Sequence, residues 1–377
     1  MERPGERGSF SRRGFLHASA GIAGALLLPA SSSVVSHSLS SQEARYYHPL
    51  DKNKVQCELC PWACRIDPGK RGACQARKNQ NGKLVSLVYG QVAAFHNDPV
   101  EKKPFFHFLP GSQAASIATA ACNVSCKFCQ NYELAHRKPE EVASVRYTPE
   151  DIVLAAQQAG SQSIAYTYNE PVVFTEFMMD IATAGKASGL FSVVVSNGFI
   201  REKPLRDLCK VIDAYKVDLK AFTESYYQDI VGGQLKPVLD TLVRLKEEGV
   251  WTEIVYLLVP TYNDSDKELK EACRWIRSNL GPDVPLHFSR FYPTFKLNNL
   301  PPTPVSILER AYQIGLESGL HYVYMGNVPG HPGENTVCPN CGKVVIDRTG
   351  FHINQNLIQN NQCSFCSHPI PGFWSAP

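Results

Sequence analysis

The sequence carries little net charge, and it has no basic stripe with interleaved aromatic residues. Its 38 Lys and Arg residues almost balance its 35 Asp and Glu residues, which leaves +3 over 377 residues. Binding to nucleic acid or to a membrane surface usually needs a concentrated positive patch. No nucleic-acid partner is therefore expected. With 44% hydrophobic and 19% charged residues, the composition is typical of a globular enzyme of two or three domains.

An uncharged stretch near the start of the chain, residues 14–30, is short and rich in Gly and Ala, and this disfavours a transmembrane helix. The start of this stretch overlaps a twin-arginine pattern, Ser11-Arg12-Arg13-Gly14-Phe15-Leu16, and a serine-rich stretch follows residue 30. This order predicts an export signal and linker over residues 1–45, and a periplasmic or membrane-associated protein. The alternative is a disordered basic tail on a cytoplasmic protein.

Cysteine is abundant, but its spacing is not that of a disulfide scaffold. Eleven of the 13 cysteines fall into three groups with metal-ligand spacing, and only Cys209 and Cys273 stand alone. The N-terminal group is Cys57, Cys60, Cys64 and Cys74; the central group is Cys122, Cys126 and Cys129; the C-terminal group is Cys338, Cys341, Cys363 and Cys366. The chain is therefore predicted to be rich in metal.

The central group has the spacing C-x3-C-x2-C within residues 121–131. Three such thiolates can bind three irons of a [4Fe–4S] cluster, and the missing fourth leaves one iron open. The loop resembles that of the radical S-adenosylmethionine (SAM) superfamily, in which SAM chelates the open iron, and Phe128 matches the aromatic residue common there. A fragment of a zinc site is disfavoured because zinc needs a fourth ligand, and the nearest spare cysteine is the distant Cys74.

Apolar runs alternate with helix-period segments from residue 114 onward. The predicted strands are Ala115–Thr119, Ser163–Tyr168, Phe191–Ser196, Tyr215–Leu219, Thr252–Val259, Leu286–Phe291 and Tyr322–Met325. The predicted helices are Pro149–Gln158, Val172–Lys186, Leu235–Glu248, Lys267–Asn279 and Val305–Glu317. This pattern predicts an α/β fold, a partial (β/α)6 barrel over residues 111–330, with its chemistry at the carboxyl ends of the strands.

The other two cysteine groups predict two small metal modules. Residues 46–110 would form a four-cysteine subdomain and connector, whose group binds either zinc or an auxiliary iron–sulfur cluster. Residues 331–377 would form a zinc-ribbon or rubredoxin-like module, because two C-x2-C pairs stand 21 residues apart. Zinc is favoured there over a single iron, and the metal would supply most of the stability of so small a module.

A narrower resemblance rests on several motifs: Cys57-Glu58-Leu59-Cys60-Pro61, Glu101-Lys102-Lys103-Pro104, His107-Phe108-Leu109-Pro110-Gly111, Cys129-Gln130-Asn131 and Gly326-Asn327-Val328-Pro329-Gly330-His331. Together they resemble AmmeMemoRadiSam system radical SAM enzymes, relatives of pyruvate formate-lyase activating enzyme. The resemblance implies that SAM, a nearby cation or the substrate contacts residues at the strand ends: Asn169, Glu170, Ser196, Asn197, Asp218, Lys220, His287 and Arg290. Glu170 keeps the acidic position of the family's Gly-Gly-Glu segment, whereas the glycines are absent.

The implied chemistry is reductive cleavage of SAM to methionine and a 5′-deoxyadenosyl radical, which abstracts a hydrogen atom. The implied partners are a reducing electron donor, a protein or small-molecule substrate, and Memo-like proteins. The resemblance thus implies an oxidoreductase like the glycyl-radical-activating enzymes. The alternative is a non-catalytic iron–sulfur or zinc protein for electron transfer or metal binding, which would not need polar clusters at successive strand ends.

Overall fold

The main sheet of the protein contains eight strands, numbered β1 to β8 in chain order. In the computed structural model, which describes residues 39–374, they are β1 Ala94–Pro99, β2 Gln113–Ala118, β3 Ser163–Tyr166, β4 Phe191–Ser196, β5 Ala214–Asp218, β6 Trp251–Leu258, β7 Leu286–Arg290 and β8 Val323–Gly326. Strands β2 to β8 are parallel and lie side by side in chain order. Their carboxyl ends therefore meet along one edge of the sheet.

The sheet is open, and in this respect the predicted barrel is corrected. The free edge of β2 pairs with β1, which runs antiparallel to it from Ala94↔Ala118 to Pro99↔Gln113. Because this edge is occupied, β2 cannot pair with β8 at the other side of the sheet. The predicted parallel strands are otherwise confirmed to within a few residues at each end. The twin-arginine pattern lies outside the described residues.

Helices cover the connections between the parallel strands. They are numbered α1 Pro149–Gln158, α2 Thr175–Ala187, α3 Glu202–Cys209, α4 Leu235–Glu247, α5 Asp266–Leu280 and α6 Val305–Glu317. Thr148 caps α1, since its hydroxyl accepts from the Asp151 amide while the Asp151 carboxylate accepts from the Thr148 amide. The strands between the helices are apolar on both faces because both faces are buried; Ile164, Val193 and Val194 have no exposed surface.

Shorter elements complete the described chain. The short helical turns are Asp51–Asn53, Val100–Lys102, Tyr132–Ala135, Pro139–Glu141, Pro171–Phe174, Glu224–Tyr226, Tyr227–Val231 and Pro332–Glu334. The short strand Val145–Arg146 pairs antiparallel with Gln91–Val92. No helix in residues 39–374 has both the length and the apolar character needed to cross a bilayer.

The N-terminal cysteines do not lie in a separate subdomain, contrary to the prediction. Their segment consists of the short strands Gln42–Glu43, Tyr47–Pro49, Val55–Cys57, Arg65–Ile66, Arg77–Gln80, Lys83–Ser86 and Gln91–Val92. Its buried residues Val55, Leu59 and Leu84 belong to one continuous core that also contains Ile117 of β2 and Val194 of β4. So few apolar residues cannot form a core alone, and they are buried against the α/β unit instead.

The C-terminal cysteines lie in a small antiparallel module near the amino ends of the sheet strands. Its strands are Thr336–Val337, Val344–Thr349, His352–Asn356, Ile358–Gln359 and Gln362–Cys363. The buried Arg348 attaches the module to the sheet, because its Nη2 donates to the Phe106 carbonyl at 2.8 Å and its guanidinium lies 4.2 Å from the Phe106 ring centre. His107 completes the contact through Pro371 O and the Tyr324 hydroxyl, at 2.7 and 2.6 Å.

Candidate active site

The central group lies in the loop that leaves the carboxyl end of β2. Two backbone amides fix the loop to the helical turn Tyr227–Val231: Ser125 N donates to Val231 O, and Lys127 N donates to Ile230 O, both at 2.9 Å. Gly232 ends that turn at φ 68°, and a Cβ there would stand 2.2 Å from the Ser125 hydroxyl. Only glycine lets the turn approach the cysteine loop this closely.

The three thiols of the central group are near enough to influence one another's ionisation. Burial raises the pKa of Cys126 to about 12 and that of Cys122 well above its usual value. Lys220 opposes the shift at Cys126, because its ammonium faces this thiol. Buried thiols of this kind ionise when a metal supplies positive charge, so the set suits an iron–sulfur cluster.

Asn169 holds the start of the cysteine loop. Its side-chain amide donates to the Thr119 hydroxyl at 3.1 Å and to the Ala121 carbonyl at 3.0 Å, and its oxygen accepts from the Thr119 amide. Ala121 itself has a φ of 78°, which is unusual for a residue with a side chain. Asn169 therefore fixes the strained residue that precedes Cys122.

Glu170 is a buried carboxylate at the end of β3. It accepts hydrogen bonds from the Ser196 hydroxyl at 2.6 Å, the Asn197 amide at 2.9 Å and the Val172 amide at 3.0 Å. Burial nevertheless raises its pKa to about 7. A carboxylate can accept about four hydrogen bonds. Glu170 therefore has capacity for one further donor, such as an ammonium group.

Asn197 joins the carboxylate to the cysteine loop. Its backbone amide binds Glu170, while its side-chain amide donates to Asn123 Oδ1 at 2.9 Å and lies 3.9 Å from the sulfur of Cys122. Asn123 in turn donates to the Phe199 carbonyl at 2.8 Å. An amide close to a ligand sulfur stabilises negative charge on it and so tunes a cluster.

A charged cluster lies at the end of β5. The Asp218 carboxylate accepts from Lys216 and, at 2.8 Å, from Lys220. Burial acts to raise the pKa of Asp218, but the two ammonium groups outweigh it and lower the pKa to about 2. Lys220 also faces Cys126 and lies 5.9 Å from the Phe128 ring centre. Asp218 thus holds Lys220 in its charged form beside the central group.

His287 lies apart from these residues. It is the second residue of β7, and its Nε2 contacts the Glu253 carboxylate at 2.7 Å. Its ring stacks on Tyr324 and meets Phe106 edge-on, so its neighbours are those of the C-terminal module. The structure places His287 in this buried network near the amino ends of the strands.

Arg290 ends β7 at the carboxyl edge, near the central loop. Its Nε donates to Thr303 O at 2.8 Å, and its guanidinium lies 5.2 Å from the Tyr292 ring centre. The Tyr292 carbonyl accepts from Gln130, the residue after Cys129. Arg290 therefore reaches the rim of the site through one intervening residue.

Three polar residues near these sites were not predicted from the sequence: Lys216, Asn123 and Glu253. Lys216 and Glu253 were detectable, since a charged residue inside an otherwise apolar strand needs a buried partner. Asn123 gives no such signal, because its hydrogen bonds depend on how the loop folds.

The C-terminal group has a different geometry. Within residues 39–374, these four thiols are the only set of three or more potential ligands that all lie within 4.8 Å of one another. The sulfurs of Cys338 and Cys366 are 3.7 Å apart, and those of Cys341 and Cys363 are 3.8 Å apart. A tetrahedral ion with metal–sulfur bonds of about 2.3 Å separates its thiolates by about 3.8 Å. The group therefore fits one tetrahedral ion.

Comparison with known proteins agrees with this site. The profile of the radical SAM superfamily matches residues 116–276. The chain is 43% identical over 332 residues to the uncharacterized protein MJ0808 of Methanocaldococcus jannaschii, and this alignment covers 87% of this chain and 98% of that protein. It is 23% identical over 183 residues to pyruvate formate-lyase 1-activating enzyme of Escherichia coli, which covers 48% of this chain and 72% of the enzyme.

Among solved structures, Streptococcus suis SuiB bound to its precursor peptide SuiA aligns with a TM-score of 0.46 and 14% identity, over 60% of this chain and 51% of SuiB. The sequence matches and the cysteine loop at the end of β2 both indicate a radical SAM domain. The chain therefore contains a radical SAM superfamily domain over residues 116–276, and it belongs to one family with the Methanocaldococcus jannaschii protein.

Proposed function

We propose that this protein is an oxidoreductase of the activating-enzyme kind, which cleaves SAM reductively with a [4Fe–4S] cluster bound by Cys122, Cys126 and Cys129. When bound, the cluster supplies the electron that splits SAM into methionine and a 5′-deoxyadenosyl radical, which abstracts a hydrogen atom from the substrate. The observation that carries the proposal is the convergence of the three central thiols, of which Cys126 is buried and the other two are half-buried, with the polar ends of β3, β4 and β5.

The residues around the thiols have separate roles in this proposal. Glu170 accepts a hydrogen bond from the amino group of SAM with its remaining acceptor capacity. Ser196 and Asn197 hold the Glu170 carboxylate in place through their own hydrogen bonds to it. Lys220 offsets the negative charge of the cluster thiolates, and Asp218 keeps it protonated. Asn169 fixes the start of the cysteine loop, and Arg290 lies at the rim, where the adenosine or the substrate would enter.

The substrate we propose is a protein. This rests on the relatives named as activating enzymes, for pyruvate formate-lyase 1 and for benzylsuccinate synthase, each of which is named for an enzyme that it activates. A small-molecule substrate is the other possible outcome. A Memo-like partner, membership of the AmmeMemoRadiSam system and export through the twin-arginine pattern stay predictions.

For the C-terminal group we propose one structural zinc ion. All four positions of a tetrahedral ion would be filled by thiolates, which leaves no site for a substrate. Two of the sulfurs also lie close to N–H groups: Cys338 interacts with the backbone amides of Asn340 and Cys341, and Cys366 Sγ lies 3.5 Å from Asn340 Nδ2. A single iron would satisfy the same geometry, and elemental analysis of the purified protein separates the two.

The test is formation of 5′-deoxyadenosine by the full chain, reconstituted without oxygen and supplied with SAM and a strong reductant. We expect steady formation by the wild type and none by Cys126→Ala, because the variant lacks one of three cluster ligands. Cys209→Ala is the matched control, since this half-buried cysteine belongs to none of the three groups. A wild type that holds a reduced cluster and forms no 5′-deoxyadenosine would favour the electron-transfer alternative.

A further inference from the structure

We infer that the N-terminal group holds a second iron–sulfur cluster, which passes electrons from a one-electron protein reductant to the central cluster. The cluster assignment stands on the N-terminal residues themselves. The electron-transfer part rests on the proposed function, because it requires a central cluster that is reduced during catalysis.

Local backbone contacts gather the four thiols at one place. The Cys57 amide donates to the Cys64 carbonyl at 2.9 Å, and the Ala63 amide donates to the Cys60 carbonyl at 3.1 Å. The Ala73 amide donates to the sulfur of Cys64 at 3.4 Å, which brings the residue before Cys74 to the same site. The four cysteines therefore form one ligand set, although Cys74 is distant in sequence.

The spread of these thiols distinguishes them from the C-terminal group. Within residues 39–374, the C-terminal thiols are the one set of three or more potential metal ligands that all lie within 4.8 Å of one another, and neither the N-terminal nor the central group forms so compact a set. Thiolates that bind different irons stand further apart than thiolates around one ion, because inorganic sulfide lies between the irons. By this criterion the N-terminal group resembles the cluster-binding central group.

Arg77 provides an independent sign of a bound anion. It is 1% exposed, and its Nη2 donates to both oxygens of the Glu176 carboxylate at 2.6 Å. Its Nε and Nη1 are buried and have no hydrogen-bond partner within residues 39–374. Arg77 also interacts electrostatically with Cys57 and Cys74. A cluster with four thiolates is anionic and carries sulfur acceptors, so it would satisfy these two orphaned donors.

The N-terminal group is joined directly to the central loop. Trp62, between Cys60 and Cys64, donates its indole N–H to the Asn123 carbonyl at 2.7 Å, and Asn123 follows Cys122. The Trp62 ring also packs against Phe199, 5.5 Å away. Trp62 is 39% exposed, so the segment reaches both the solvent and the central loop. A cluster at this place would lie between an approaching reductant and the central cluster.

The electron balance of the proposed route is simple. A low-potential protein reductant, of the flavodoxin or ferredoxin type, loses one electron to the N-terminal cluster. That cluster returns to its oxidised state when the same electron reduces the central cluster, which then supplies it to SAM. No proton or atom is transferred between the two clusters.

The first experiment removes the central group and counts acid-labile sulfide. In the full-length Cys122→Ala/Cys126→Ala/Cys129→Ala variant, reconstituted with iron and sulfide, we expect about two to four sulfides per chain and the absorption of an iron–sulfur cluster. Adding Cys60→Ala and Cys64→Ala should abolish both. A single ion at the C-terminal group contributes no sulfide, so the count is specific. Zero sulfide in the first variant, or zinc bound by its N-terminal group, would overturn the proposal.

The second experiment tests the electron route in the chain that keeps its central group. For Cys60→Ala/Cys64→Ala we expect at least tenfold slower 5′-deoxyadenosine formation with reduced flavodoxin, and a less than twofold change with titanium(III) citrate. An equal loss with both reductants would contradict electron transfer through the N-terminal cluster. If the wild type forms no 5′-deoxyadenosine, the proposed function fails, while the sulfide count still decides whether the cluster exists. Retention of the central cluster's SAM-dependent EPR signal shows that the variant is folded.

Discussion

The central group and the C-terminal group use the same side chain at opposite ends of one sheet, and they differ in geometry. The C-terminal thiols form a compact tetrahedron with sulfur pairs at 3.7 and 3.8 Å, near the amino ends of the strands. The central thiols lie at the carboxyl end of β2 and are less compact. One arrangement can enclose a single ion completely, whereas the other leaves a cluster accessible.

The residues that surround the two groups also differ, and they differ in polarity. Polar side chains from three strand ends converge on the central group, among them Glu170, Asn197 and Lys220. The C-terminal group is instead surrounded by turns and by an apolar cluster that includes Phe106 and Tyr324. The chemistry of a cysteine site is therefore indicated less by the thiols than by the side chains that reach it.

The largest expected effect comes from replacing one cysteine in each of the two groups and comparing the two variants. Cys341→Ser should release the C-terminal ion and make residues 336–374 sensitive to protease, because structural zinc contributes about 10 kcal/mol or more to such modules. 5′-Deoxyadenosine formation per central cluster should stay within twofold at low temperature, since the module packs at the other end of the sheet. Cys126→Ser should instead abolish 5′-deoxyadenosine formation, while the C-terminal ion stays bound and residues 336–374 stay resistant to protease. The contrast between the groups fails if Cys341→Ser also loses the central cluster.

A smaller effect concerns pH and the buried carboxylate of the central site. The pKa of Glu170 rises from 4.5 to about 7 on folding, so the folded state binds the proton more tightly than the unfolded state. Glu170 therefore contributes stability below pH 4.5, and this contribution is lost as the pH rises to about 7. This rise in the pKa of Glu170 corresponds to about 3 kcal/mol of folding stability.

Denaturant unfolding of the protein without its central cluster, from pH 4.5 to 8, measures this loss. Glu170→Gln cannot ionise at this position, so its stability should fall less steeply with pH than that of the wild type. Glu133→Gln, at an exposed position, is the control and should keep the wild-type slope. Parallel slopes for the wild type and Glu170→Gln would show that Glu170 does not titrate in this range.

The parallel sheet could be predicted from the sequence because its strands are buried on both faces and therefore appear as continuous apolar runs. Strand β4, Phe191–Ser196, and helix α1, Pro149–Gln158, both have the predicted bounds. Strand β1 was missed because it is an edge strand with His96, Asn97 and Asp98, and an edge strand needs no apolar run. Its presence also explains why the sheet stays open.

The site was only partly predictable. Glu170, Asn197 and Lys220 follow strands directly, and the structure brings them to the cysteine loop. His287 also lies beside polar residues in the sequence, but it is the second residue of β7 and therefore lies at the amino end of that strand. Its position in the sheet is fixed only when β7 pairs with β6. The contact of Arg77 with Glu176 joins residues 99 positions apart, and no local pattern reports such a contact.

The smallest expected effect compares two matched amide-to-sulfur contacts. Asn197 Nδ2 lies 3.9 Å from Cys122 Sγ in the central group, and Asn340 Nδ2 lies 3.5 Å from Cys366 Sγ in the C-terminal group. A reduced cluster carries one more negative charge than an oxidised one, so a donor near its sulfur favours reduction. Asn197→Ala should therefore lower the potential of the central cluster. A contact worth about 1 kcal/mol corresponds to roughly 40 mV for one electron.

An EPR-monitored redox titration without SAM measures this shift, and Asn340→Ala is the matched control. Asn340→Ala removes the same kind of contact at the other group, so it should leave the central potential unchanged and weaken only the retention of the C-terminal ion. An equal shift in both variants would mean that the two groups are electrostatically coupled across the sheet. No shift in Asn197→Ala would mean that the long contact to Cys122 only positions the loop through Asn123.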